Sequence, residues 1–255
     1  MADTLNTASV RGTYALTLTG QGGWSPLVGI GIISFDGAGR VVGTWRESRP
    51  AGYGERVLTD VVYDARYGVT DSGTGTLTVS GSEEEDGYLA IRDLRSSESG
   101  PVASELALMF RSLDSATGAL RTATGWRLPD HATFSAQSLR GRYVGAALGL
   151  GGQFPVAGFG AVVYDGEGGF SEQNIANVQG ESFRERRFVT GADGGIYTVN
   201  PDGTGTVAGG GVLFVITRAH LLGEQLIADE YSFIVRDLVP TNGAQFIGTV
   251  KRLAD

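Results

Sequence analysis

Polar and apolar residues alternate at every second position in several stretches of this chain. Tyr14, Leu16 and Leu18 interleave with Thr13, Thr17 and Thr19, and residues 73–79 read Gly-Thr-Gly-Thr-Leu-Thr-Val. A period of two sends successive side chains to opposite faces of an extended strand, and the three-to-four spacing of a helix is nearly absent. The pattern predicts strands at 11–19, 27–35, 40–48, 55–63, 74–80, 87–94, 104–112 and 119–128. It predicts eight more at 140–148, 156–164, 169–177, 183–190, 204–210, 211–219, 225–237 and 244–252. Asp36-Gly37, Asp165-Gly166, Asp202-Gly203 and Asn242-Gly243 fall between them. Such pairs accept the positive φ of tight hairpins, so the chain reads as antiparallel meanders.

The two sets of strands are copies. Ser9-Val10-Arg11-Gly12-Thr13-Tyr14 returns as Ser138-Leu139-Arg140-Gly141-Arg142-Tyr143, 129 residues later, and Phe35-Asp36-Gly37-Ala38-Gly39 returns at the same offset as Tyr164-Asp165-Gly166-Glu167-Gly168. Tyr67 and Gly73-Thr74-Gly75-Thr76-Leu77 match Tyr197 and Gly203-Thr204-Gly205-Thr206-Val207 at offset 130. Arg111-Ser112-Leu113 and Gly118 match Arg236-Asp237-Leu238 and Gly243 at offset 125. Landmarks in one order with so little drift indicate a tandem duplication. Its seam lies near 129–136, giving domains 1–130 and 131–255.

Eight strands in about 125 residues suffice to close a small up-and-down barrel, and closure removes the edges an open meander would expose. A sandwich is the alternative. The barrel is favoured because both faces of one strand are apolar: Gly29, Gly31, Ile33 and Phe35 on one, Val28, Ile30 and Ile32 on the other. Glycines within strands allow tight bending and leave interior room. The expected fold is all-β, two tandem antiparallel barrels of about eight strands.

The order Gly141-Arg142-Tyr143, Tyr164-Asp165-Gly166-Glu167-Gly168, then Tyr197 through Val207 resembles the allene oxide cyclase-like barrel family. The resemblance covers both halves. It implies calycin-like barrels with apolar lumens, in a family that also includes dirigent proteins and bacterial natural-product cyclases of the Diels–Alderase type. The matched positions are turns, so no catalytic residue carries over with them.

Composition narrows the chemistry. With no Cys and two His among 255 residues, thiolate, disulfide and Cys-ligated metal chemistry is excluded. The 41 Gly, without a three-residue period and with only seven Pro, fit many tight turns. Residues 1–128 hold 11 basic and 15 acidic side chains, and 129–255 hold 9 and 13, leaving each half at −4. Evenly spread acidity argues against nucleic acid, since the densest basic run, Arg184, Arg186 and Arg187, is broken by Glu185. The start MADTLNTASVRG lacks a signal-peptide pattern and no stretch has the apolar length of a bilayer span, so a cytoplasmic location and no membrane partner are expected.

Sharper motifs yield to plainer ones. Thr70-Asp71-Ser72-Gly73 has the look of a protease nucleophile loop, but His131 and His220 both follow it, in the wrong order for that class of double barrel. The Asp-Gly-x-Gly runs at 36–39 and 165–168 lack the spaced ligands of a calcium loop and read as hairpin turns. The acidic run 82–87 reads as a solvated tip.

Polar residues inside apolar strands hold more interest, because a charge facing a lumen must be paired or used. Trp45 and Glu47 share one face of their strand, and Glu172 and Asn174 share one face of the equivalent strand. Either pair faces solvent or lines a pocket; in a pocket, Glu172, Asn174 and Glu47 are the candidate catalytic groups, polarising a substrate carbonyl. Phe183, Glu185 and Arg187 would face the same cavity or the domain interface. Tyr14, Trp45, Trp126, Tyr143, Phe159, Phe170 and Phe183 are the candidate substrate walls, with Trp24, Tyr53 and Phe154 as further aromatics. A chain so poor in catalytic groups suits a reaction governed by shape. The expectation is a cyclase or isomerase that needs no cofactor and closes a ring in a small apolar polyene or polyketide, by [4+2] cycloaddition or a related step, in one lumen while the other barrel is structural. A carrier of a small hydrophobic ligand is the alternative, and a homodimer is left open.

Overall fold

The computed structural model describes residues 4–21, 26–50, 56–80, 86–97, 100–110, 120–150, 156–179, 185–207, 211–236 and 245–254. Trp24, Tyr53, Phe154, Phe183 and most of the acidic run 82–87 lie outside them. The first repeat forms β1 (Arg11–Gln21), β2 (Leu27–Asp36), β3 (Arg40–Pro50), β4 (Arg56–Val69), β5 (Thr74–Val79), β6 (Gly87–Arg95), β7 (Val102–Phe110) and β8 (Leu120–Arg127). The second forms β9 (Arg140–Leu150), β10 (Ala157–Asp165), β11 (Gly169–Gln179), β12 (Arg186–Val199), β13 (Thr204–Val207), β14 (Val212–Leu222), β15 (Gln225–Val235) and β16 (Gln245–Arg252). Each set closes into its own antiparallel barrel, β1 to β8 in sequence order and β9 to β16 likewise. The sixteen expected strands are all present, and barrels rather than sandwiches form. No helix among the described residues is long and apolar enough to cross a membrane.

The chain divides into two compact units, Met1–Glu47 with Thr59–Asp130, and Ser48–Leu58 with His131–Asp255. Closing contacts repeat from one barrel to the other. β1 pairs with β8 through Leu16↔Gly125, and β9 pairs with β16 through Gly145↔Val250. The Asp-Gly-x-Gly turns are built identically: Asp36 Oδ1 accepts from the amides of Ala38, Gly39 and Arg40, and Asp165 Oδ1 from those of Glu167, Gly168 and Gly169, at 2.7–3.0 Å. These amides hold both carboxyls below their ordinary range. Gly39 and Gly168 both adopt φ +114, a conformation that an L side chain resists.

Two tyrosines brace each floor. Tyr14 donates to the Ala103 carbonyl at 2.9 Å and Tyr143 to the equivalent Ala228 carbonyl at 2.8 Å. Tyr67 donates to the Val10 carbonyl at 2.6 Å, and the Tyr197 hydroxyl lies 2.8 Å from the equivalent Leu139 carbonyl. Burial raises all four phenols, Tyr67 and Tyr197 to about 12, so they stay neutral hydrogen-bond donors.

β4 and β12 run further than the alternation predicts, to Val69 and Val199 rather than 63 and 190. In β12 the extension crosses Gly191-Ala192-Asp193-Gly194-Gly195, a run that no predicted strand covers. It stays extended because β11 continues beside it, pairing Glu172↔Asp193 and Gly169↔Ile196. Tertiary pairing overrides the weak strand preference of Gly and Asp.

Candidate functional site

The inward face of each barrel is marked by rings that meet across it. In the first barrel Phe35 lies edge-on to Tyr14 and Tyr67, with centroids 5.5 and 4.9 Å apart. Higher in the same barrel Trp45, Tyr63 and Phe110 form a second cluster at 5.6–6.3 Å. Leu16, Leu18, Leu77, Leu106 and Leu108 complete one continuous buried core. Glu47 is fully buried beside this cluster, where its Oε1 accepts from Trp45 Nε1 at 2.8 Å and stands 3.9 Å from Arg121 Nη1. The Arg121 guanidinium lies 5.4 Å over the Phe110 ring. A carboxylate held by an indole and a guanidinium over an aromatic stack caps a packed interior.

The second barrel departs from the first at these inward positions. Repeat offsets place Gly145 where the first barrel has Leu16, and Ala147 where it has Leu18. Asn174, Asp193 and Val235 take the places of Trp45, Tyr63 and Phe110. At these five positions the second repeat carries smaller or polar side chains, and its interior holds a cavity of about 310 Å³. Its walls include Gly145, Ala147, Gly158, Gly160 and Ala176. A Cβ on Gly145 would sit 2.6 Å from the Thr249 carbonyl oxygen, so glycine there also lets β9 and β16 approach closely.

The floor of this cavity carries a polar pair that the first barrel lacks. Tyr164 and Tyr231 share a buried hydroxyl–hydroxyl hydrogen bond of 2.8 Å, and both line the cavity. Their equivalents in the first repeat are Phe35 and Leu106. Burial raises both phenols well above the ordinary value, and the nearby Glu172 carboxylate raises them further. With one hydroxyl donating to the other, the protonated pair keeps one O–H free to donate to a ligand oxygen. Above them on the same wall stand Glu172, half-buried, and Asn174, whose Nδ2 donates to Glu172 Oε1 at 3.0 Å. Asp193 is directly opposite Glu172 on β12.

No protein-family model matches the chain, and no curated protein matches its sequence.

The sequence-predicted residues therefore separate by barrel and by face. Glu172, Asn174 and Phe170 share the inward face of β11; Glu172 and Asn174 line the second cavity, and Phe170 packs 6.2 Å from Tyr164 below them. Tyr143 is fully buried in the floor. Trp45, Glu47 and Tyr14 are buried in the first barrel. Phe159 is 61% exposed, turned outward by alternation between the inward Gly158 and Gly160. Trp126 lies on the outer face of the first barrel, half-buried among Thr17, Tyr88 and Met109. Glu185 and Arg187 are exposed, and Phe183 lies outside the described residues. His220 pairs with Asp229 at 2.7 Å on an exposed stretch, away from the cavity.

Tyr164 and Tyr231 escape a reading of the strands one at a time. The signal that finds them is the repeat itself: a Phe that becomes Tyr at offset 129 and a Leu that becomes Tyr at offset 125.

Proposed function

We propose that the second barrel is a cofactor-independent cyclase or isomerase that folds a small apolar polyene of the polyketide type inside its lumen and closes a ring within it, by [4+2] cycloaddition or a related step. The observation that carries this reading is the contrast at equivalent positions: the first lumen is filled by its own aromatic side chains, and the second is emptied and given a hydroxyl pair. Volume and polarity fit a compact apolar ligand with one carbonyl, since sites of this kind begin near 300 Å³ and hold a few convergent polar groups. The glycine and alanine walls press the chain into a folded shape, and such orientation can supply effective molarities on the order of 10⁵ M. A hydrogen bond from Tyr164 or Tyr231 to a conjugated carbonyl lowers the acceptor orbital and fixes the face of attack, using donors that are already in place.

The test is incubation with linear trienes bearing a terminal conjugated ketone, with products resolved against a protein-free control. Faster and stereoselective ring formation, lost in Tyr164→Phe and Tyr231→Phe, supports the reading. Saturable binding with no ring product contradicts it and leaves a carrier of hydrophobic ligands.

A further inference from the structure

The polar residues of the second lumen stand in an order that ring closure alone does not require. The hydroxyl pair Tyr164–Tyr231 is at the floor. Register sets Tyr164 opposite Phe170 and Val162 opposite Glu172, so Glu172 stands one inward position higher, roughly 7 Å of strand above the floor. Its carboxylate is close enough to raise the phenols of both Tyr164 and Tyr231, and Asn174 fixes its orientation from the next inward position. A ligand whose carbonyl oxygen meets the tyrosines presents its neighbouring carbons to the carboxylate.

We propose that this strip is an enolisation site, which removes the proton α to a ketone: Glu172 is the base, and the Tyr164–Tyr231 pair holds the enolate oxygen. The inference rests on the reading that the lumen takes a small carbonyl compound and is independent of ring closure. In the step, the α C–H bond breaks and its proton passes to a Glu172 carboxylate oxygen. The freed electron pair forms a carbon–carbon double bond while the carbonyl π pair moves onto oxygen, where a phenol O–H stabilises it. Glu172 then returns the proton, either to the α carbon or, in a β,γ-unsaturated ketone, to the γ carbon, giving the conjugated enone. No oxidant, reductant or further reactant is consumed. A carboxylate base facing neutral hydroxyl donors in an apolar site is an established arrangement for this chemistry. Asn174 acts as a positioning residue.

The full chain is incubated in deuterium oxide with 3-cyclohexen-1-one, following deuterium uptake by mass spectrometry and the conjugated enone by ultraviolet absorbance, against a buffer of equal carboxylate concentration. Binding of 2-naphthol, a planar enol analogue, is measured in parallel by fluorescence. The expected result is exchange and isomerisation faster than buffer, reduced about 100-fold or more in Glu172→Gln. Tyr164→Phe, which restores the residue the first barrel carries at Phe35 and so is compatible with the fold, reduces the rate about 10-fold or more and weakens 2-naphthol. A rate no greater than buffer, or an undiminished rate in Glu172→Gln, overturns the enolisation site. If 2-naphthol still binds saturably, the lumen reading survives that failure; if it does not bind, both fall.

Discussion

Trp45 and Asn174 occupy the same inward position in the two repeats, 129 residues apart, each packed against a glycine of the preceding strand, Gly31 and Gly160. Trp45 is 4% exposed and closes the first lumen together with Tyr63 and Phe110. Asn174 is exposed and borders the second cavity. One duplicated scaffold thus carries two interiors, one spent on packing and one left open for a ligand.

Packing predicts a clear penalty in the first barrel. Trp45→Ala removes the indole from the aromatic cluster and leaves Glu47 without its 2.8 Å donor. The expected loss is about 3–5 kcal/mol of unfolding free energy, read from urea denaturation. A variant as stable as the wild type would mean that the first interior is not close-packed.

Buried Glu47 is predicted to be structural. Glu47→Ala leaves the Trp45 indole N–H without an acceptor and should cost about 1–3 kcal/mol, while Glu47→Gln keeps a carbonyl oxygen there and costs less. Neither change should alter 2-naphthol affinity, since Glu47 lies in the other barrel. A loss of affinity in Glu47→Gln would place it in the ligand site.

How much of this was legible in the sequence follows from the range of each interaction. Alternation and Asp-Gly turns are local, so all sixteen strands and the duplication could be read directly, with β12 cut short only because Gly191 to Gly195 carry no strand preference of their own. Glu172 and Asn174 were visible as polar interruptions of an apolar strand. Which barrel is hollow was not visible, because it depends on Trp45, Tyr63 and Phe110 lying on three different strands and meeting only after closure. Tyr164 and Tyr231 likewise sit on β10 and β15, which are not hydrogen-bonded neighbours and face one another only across a closed lumen.

Alkaline pH should unfold the protein through its buried phenols. Burial raises Tyr67 and Tyr197 to about 12 and raises Tyr14, Tyr143, Tyr164 and Tyr231 more strongly. In the unfolded chain these phenols ionise near 10. Because the folded values are the higher ones, their contribution is fully present below about pH 10 and is lost as pH rises through 12. Phenolate absorbance should therefore appear for these tyrosines together with the loss of strand circular dichroism. Phenolate absorbance from all of them near pH 10 with the fold intact would contradict their burial.

Filling the second lumen should leave the fold standing. Ala147→Leu combined with Asn174→Trp imports the side chains that Leu18 and Trp45 supply in the first barrel; there the Trp45 ring lies against Gly43, so Glu172, which takes that glycine's place, has to turn away from the new indole. The thermal midpoint should hold or rise, by an amount equivalent to about 0.5–2 kcal/mol for a filled cavity. A large drop would mean that the two interiors are not equivalent in shape.

The most direct measurement is a titration of N-phenyl-1-naphthylamine, an apolar fluorescent probe, into the wild type and into this filled variant. The expected result is one saturable site per chain in the wild type and none in the Ala147→Leu/Asn174→Trp protein. Two sites per chain, or one that persists when the second lumen is filled, would contradict it.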